Sequence, residues 1–155
     1  MNNNINVSAL NNPPDFKNKI AIVTGGGRGL GRACVLGLAS AGAHVIAVAR
    51  TKSDLNEVKS HYPNNIECWT EDVLQDSLYS RIEKLDHLDI LVGCAGGNKP
   101  QPITEISLDT IDWMLDLNVK SIFRASQSAA KVMLKNGLGT IINISSQMGH
   151  IGSPN

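Results

Sequence analysis

The chain has 155 residues and a mass of 16.6 kDa, room for one compact domain. Its 14 Lys and Arg balance 14 Asp and Glu, so the charge gives no support for an electrostatic nucleic-acid or anionic-membrane binder. Hydrophobic residues at 42% can fill a core, and 14 glycines against 4% aromatics favour an alternating α/β protein over a β-sandwich.

Residues 1–16 hold six asparagines and the Pro13-Pro14 pair without apolar periodicity, which predicts a flexible leader ahead of a domain over 17–155. The opening Met1-Asn2-Asn3-Asn4-Ile5-Asn6 lacks the basic and apolar regions of a signal peptide. No apolar run nears the roughly 20 residues of a membrane span, so a soluble, cytoplasmic protein is expected. Short β-branched runs at residues 20–23, 45–48, 66–69, 90–92 and 141–144 then alternate with helical patterns. Most are continuously apolar, which suits strands covered on both faces and predicts a doubly wound parallel sheet of Rossmann type.

Between the strands, residues 30–41 place Leu30, Cys34, Leu38 and Ala41 on one stripe, with Gly42 as a stop signal. Residues 52–61 begin at a Thr51-x-x-Asp54 capping pattern, and residues 73–85 align Leu74, Leu78, Ile82 and Leu85. The span 108–136 is too long for one ordinary helix. It is expected to bend near Asn118, with Ile111, Leu115, Ile122, Ala125, Ala129 and Met133 toward the sheet. Cys34, Cys68 and Cys94 are an odd number without C-x-x-C spacing, so reduced and mostly buried thiols are expected, with no disulfide framework and no metal site.

The first strand runs straight into Thr24-Gly25-Gly26-Gly27-Arg28-Gly29-Leu30-Gly31 and a helix, the context a dinucleotide-binding turn requires. Glycine permits the tight turn and close backbone approach, and the helix N-terminus presents unpaired N–H groups to phosphate. The spacing is T-G-x-x-x-G-x-G, and no register fits G-x-G-x-x-G followed by the usual acid. An ordinary glycine-rich strand-to-helix turn is the bland alternative. The second strand ends Ala47-Val48-Ala49-Arg50, with a small residue where an NAD site carries a carboxylate for the ribose 2′-hydroxyl. Arg50 and Arg28 can flank a 2′-phosphate and bond it bidentately, so NADP(H) is expected over NAD(H), unless both are merely solvated charges.

Together these pieces resemble the classical short-chain dehydrogenase/reductase family. The matches are the glycine loop, Asp72-Val73, Leu91-Val92-Gly93-Cys94-Ala95-Gly96, Leu117-Asn118-Val119 and Asn143-Ile144-Ser145-Ser146, in the family's order from Lys17 to Asn155. The resemblance implies strand order 3-2-1-4-5, with Gly25, Arg28, Gly29, Leu30 and Gly31 around the pyrophosphate and ribose. Asp72 and the Val73 backbone would bind adenine, while Cys94, Ala95 and Gly96 would line the cofactor. Asn118 would be the tetrad asparagine that bends its helix and holds a water of the proton relay, and Ser146 would hydrogen-bond the reacting carbonyl. Plainer roles exist for Asp72 as a cap, Asn118 as a kink and Ser146 as loop punctuation.

Two departures from the family pattern matter. Gly93-Cys94 replaces an Asn-Asn pair, which predicts a looser sheet centre, with Cys94 as a small filler rather than a nucleophile. The family's general acid is the tyrosine of Tyr-x-x-x-Lys, about thirteen residues beyond the serine, with the lysine depressing its pKa. The sequence runs nine residues past Ser146, and its two tyrosines, Tyr62 and Tyr79, lie in earlier helical segments without lysine four residues on. His150 reads as a solvated loop residue.

The expected function is NADP(H)-dependent hydride transfer between the nicotinamide and a small-molecule carbonyl or secondary-alcohol substrate of unspecified class, by a homo-oligomer, a dimer or tetramer, at full length. These 155 residues alone are expected to turn over poorly. A truncated nucleotide-binding module without catalysis is the alternative. A Rossmann-like methyltransferase is disfavoured, because it would want an acid in place of Arg50. Residues 140–144 are expected to form an exposed apolar sheet edge.

Overall fold

The computed structural model describes residues 14–152. Five strands form one parallel sheet in the order β3-β2-β1-β4-β5, as the resemblance implies. They are β1 (Ile20–Thr24), β2 (His44–Ala49), β3 (Ile66–Thr70), β4 (Ile90–Gly93) and β5 (Thr140–Asn143). The helices α1 (Gly29–Ser40), α2 (Lys52–His61), α3 (Asp76–Glu83), α4 (Leu108–Leu115) and α5 (Ser121–Asn136) connect them. Most of the expected leader lies outside the described residues. Within its last residues, the Phe16 N–H donates to the Ala41 carbonyl at 2.8 Å and the ring packs on the core.

Period-two alternation divides the apolar strands between two cores. Ile22, Ile46, Val48 and Leu91 point to the side covered by α3 and α5, where Leu78, Ile82, Ala125, Ala129 and Val132 meet them. Ala21, Val23, Val45, Ala47 and Val92 point to the other side, against Val35 and Ala39 of α1 and Leu55 and Val58 of α2. Burying each such branched side chain is worth about 1.5–3 kcal/mol. β5 differs: all four residues are exposed, and Ile141 and Ile142 stand at 37% and 47%, the apolar edge the sequence predicts.

Four helix expectations need correction. The buried stripe of α1 is Gly31, Val35 and Ala39, one position off the predicted one, and Leu30 is 69% exposed. The glycine loop delivers the helix with Gly31 against the sheet, and that contact fixes the rotation. Thr51 caps α2 in extended conformation, but its side chain makes no capping bond. Helix α3 starts at Asp76 instead of residue 73, because Asp72 Oδ1 accepts from the Leu74 N–H at 3.0 Å and holds residues 72–75 in a turn. The expected bend in the long helical span is a π turn over Asp116–Lys120 that joins α4 to α5. Leu115 does not face the sheet; it lies exposed before that turn. The three cysteines are free, as expected, but half-buried rather than mostly buried.

Asp89 is a buried charge at the start of the sheet, 6% exposed. Its carboxylate accepts from the Ile20 N–H, Lys19 Nζ and His87 Nε2, each at 2.9 Å, while its carbonyl accepts from the Thr140 N–H. One residue thereby ties β1, β4 and β5. Burial alone would raise its pKa, but the bonds from Ile20, Lys19 and His87 outweigh burial and hold it below the ordinary carboxylate range. Stability from a depressed carboxyl pKa is fully present above the unfolded value, about 3.9, and is lost as pH falls through the folded one. Asp89→Asn is therefore expected to lower stability at neutral pH by about 2 kcal/mol. The gap between variant and parent closes under more acid conditions than that, and urea midpoints at the two pH values check both parts.

Candidate functional site

The site lies beyond the carboxyl ends of the strands, where β1 sits between β2 and β4 and the chain direction of the crossovers reverses. An open cavity of about 420 Å³ occupies this crevice. Every residue named above for the cofactor lines it, from Gly25 through Gly96.

Its floor is the glycine loop. Gly25 has φ +70°, a left-handed conformation, and a Cβ there would stand 2.9 Å from the Ala95 nitrogen. A Cβ on Gly31 would stand 2.2 Å from the Gly25 carbonyl oxygen, so α1 can approach the end of β1 only without a side chain at that position. Gly29, at φ +55°, meets nothing within 4 Å and opens onto the cavity. Helix α1 carries no acid in its first turn, so its positive end faces the cavity uncompensated. Arg28 caps that end in extended conformation and lines the same space.

The wall on the β2 and β3 side is charged. Ala49 pairs with Thr70, which brings Arg50 beside Glu71 and Asp72. Arg50 Nη1 stands 4.0 Å from Asp72 Oδ2, and most of the guanidinium is exposed. Glu71 is held by Ser77 Oγ at 3.0 Å and by Arg81 at 3.7 Å. Thr51, Asp54 and Glu71 also line the cavity, and sequence reasoning did not select them as site residues.

The opposite wall follows β4. Thr24 Oγ1 accepts from the N–H groups of both Cys94 and Ala95, at 3.1 and 3.2 Å. A Cβ on Gly93 would stand 2.6 Å from Asn143 Oδ1, so the Asn143 amide fills space that a side chain at 93 would take. The sheet centre is therefore tied by Thr24 and filled by Asn143, where the Gly93-Cys94 departure removes the family's asparagine side chains. Burial first, and then Cys34, push the Cys94 thiol pKa up, which keeps it a neutral filler.

Asn118 and Ser146 do not line this cavity. Asn118, in the π turn, grips the rim: its Nδ2 donates to the Gly97 and Met114 carbonyls at 2.8 and 3.0 Å, and its Oδ1 accepts from the Gly97 N–H at 3.0 Å. Ser146 lies two residues beyond the cavity-lining Ile144, and its Oγ accepts from the Met148 N–H at 3.1 Å. Neither tyrosine reaches the site. Tyr79 is buried with its hydroxyl on the Val73 carbonyl, and burial, more than any neighbour, raises its pKa. His150 is exposed in the turn after Gln147–Gly149.

A cradle that excludes side chains at Gly25 and Gly31, opens at Gly29 and faces a helix N-terminus fits the pyrophosphate of a dinucleotide. The family model for short chain dehydrogenase matches residues 19–155. The chain belongs to the short-chain dehydrogenase family. This short-chain dehydrogenase is 36% identical to L-xylulose reductase of Mesocricetus auratus over 129 residues, covering 82% of this chain and 52% of that one. It is 33% identical to carbonyl reductase (NADPH) 2 of Sus scrofa, covering 90% of this chain and 58% of that one. A solved Beutenbergia cavernae chain with bound NADP at low occupancy superposes with a TM-score of 0.84, at 30% identity over 93% of this chain and 60% of its own. The chain thus spans about half the length of the curated relatives it matches. No helix among the described residues is long and apolar enough to cross a membrane.

Two outcomes follow from this geometry. Gly31→Ala forces α1 away from β1 and is expected to cost about 1–3 kcal/mol, with loss of dinucleotide binding; thermal melting and a ligand titration measure the two effects. Asn118→Ala leaves the Gly97 N–H without its acceptor, so hydrogen exchange at Gly97 is expected to accelerate while exchange in β1 stays unchanged.

Proposed function

We propose that this short-chain dehydrogenase transfers hydride between NADP(H) and a carbonyl or secondary-alcohol substrate. The bound dinucleotide would supply the hydride chemistry, and this chain's residues hold and orient it. Gly25, Gly29 and Gly31, with the α1 N-terminus, hold the pyrophosphate. Arg28 and Arg50 take the 2′-phosphate, the Asp72 carboxylate and Val73 backbone take the adenine, and Leu30, Cys94, Ala95 and Gly96 border the rest.

The observation that carries NADP(H) over NAD(H) is the placement of two guanidiniums on one cavity while β2 ends in Ala49 rather than a carboxylate. Guanidinium suits phosphate through paired N–H donors. Ser146 supports the carbonyl assignment: its Oγ accepts from the Met148 N–H, which leaves its own proton free to donate to a substrate oxygen. Asn118 acts as a positioning residue through its grip on Gly97, beside the turn that borders the cofactor. Relatives named as L-xylulose and carbonyl reductases agree with a carbonyl substrate.

In the full-length protein NADPH is expected to bind at least about tenfold more tightly than NADH, and Arg50→Asp is expected to abolish that preference. Fluorescence titration of both cofactors measures it, and equal affinities in the parent protein overturn the cofactor assignment. Failure to oxidise NADPH with any member of an aldehyde and ketone panel overturns the enzymatic reading and leaves a nucleotide-binding module.

A further inference from the structure

The corner of the cavity beside Gly27 holds charges of both signs. Arg28 and Arg50 line it, and so does Asp54 in the first turn of α2. Asp54 lies against the glycine loop: a Cβ on Gly27 would stand 3.2 Å from the Asp54 Cβ and 3.8 Å from its Oδ2. The two other acids here are engaged. Glu71 bonds Ser77 and pairs with Arg81, and Asp72 bonds the Leu74 N–H and stands near Arg50. Among the described residues Asp54 has no ion pair, and the Thr51 side chain makes no capping bond beside it. An unpaired carboxylate is thus set in the one part of the cavity whose cations would receive a 2′-phosphate.

We infer that Asp54 is a specificity-determining residue: it opposes a 2′-phosphate and accepts from a ribose 2′-hydroxyl, so that it narrows the preference Arg28 and Arg50 create for NADP(H) over NAD(H). The inference rests on the proposed cofactor reading. Its physical basis is that one fixed charge acts oppositely on the two ligands. A carboxylate repels a phosphate carrying close to two negative charges, whereas an uncharged hydroxyl finds in it a strong acceptor. Arg50 stands within ion-pair distance of Asp72, at 4.0 Å, and not of Asp54.

The test uses ligand fragments that isolate this corner, 2′,5′-ADP and 5′-AMP, titrated calorimetrically against the full-length protein. Asp54→Asn is expected to raise the ratio of 2′,5′-ADP to 5′-AMP affinity about tenfold, by strengthening the first and weakening the second. Asp54→Glu keeps the charge and is expected to keep the parent ratio. Salt near 1 M is expected to shrink the difference between Asn variant and parent, as a direct action of the Asp54 charge on the ligand requires, and an unshrunk difference overturns that action. An unchanged ratio in Asp54→Asn, with Arg50→Asp still collapsing it, overturns the role of Asp54 and leaves the NADP(H) reading intact. A parent protein that binds both fragments equally, and is indifferent to Arg50→Asp, overturns the cofactor reading and the inference with it.

Discussion

The contact of α1 with the end of β1 is the constraint on which the rest of the site depends. Only hydrogen at Gly31 clears the Gly25 carbonyl, and only a left-handed Gly25 turns the chain in time to clear Ala95. With those two positions fixed, the helix N-terminus has one place to go, over the crevice between β1 and its neighbours. Arg28, Gly29 and Leu30 follow from it, because they ride on the same turn. The 69% exposure of Leu30 is a consequence: an apolar side chain is held at the cavity so that Gly31 can face the strand. Apolar burial that this leucine forgoes is offset by Val35 and Ala39 one and two turns on, both fully or nearly fully buried.

The second support is polar. Thr24 is the last residue of β1, 2% exposed, and its hydroxyl accepts from two successive N–H groups as the chain leaves β4. Those groups lie past the end of the parallel ladder and would otherwise be left unpaired in a part-buried place. The Asn143 amide stands over Gly93 on the far side of β4 and bonds Ser126 of α5 at 3.3 Å. A sequence that lacks side-chain amides at 93 and 94 thus obtains its fastening from the strands on either side. Asp89 does the corresponding work at the opposite end of the sheet, so β4 is pinned at both ends by side chains it shares with β1.

The sheet was legible in the sequence because continuous β-branched runs have few other stable uses, and the glycine spacing placed the cavity. The cofactor-lining residues were legible for the same reason: they sit at strand ends, and strand ends in a parallel sheet converge. Helix faces were less so. A one-residue rotation of α1 is invisible to periodicity when Leu30, Cys34 and Leu38 make as good a stripe as Gly31, Val35 and Ala39; the deciding factor is steric and comes from glycine. The start of α3 was lost to a side-chain-to-backbone bond at Asp72, and the Thr51-x-x-Asp54 pattern named a cap that the side chains do not make. The approach of Arg50 to Asp72, and of Asp54 to Gly27, depends on strand pairing and helix placement that no local pattern contains.

That last pair of contacts explains why charge at this site cannot be read by counting cations. Two arginines in a row of strand-end and loop positions suggest a strong phosphate corner, and a dipole uncompensated by any acid in the first turn of α1 adds to it. The fold then returns three acids to the same wall from β3 and α2. Glu71 bonds Ser77 and faces Arg81, which it shares with Glu67, and Asp72 stands 4.0 Å from Arg50, so each of these two acids has a cation beside it. Asp54 has no such partner among the described residues, and its field is what the ligand meets. Discrimination between a ribose hydroxyl and a ribose phosphate is then a difference between nearly opposed terms, and such a difference is sensitive to single charges in a way that total affinity, dominated by the glycine cradle and the helix end, is not.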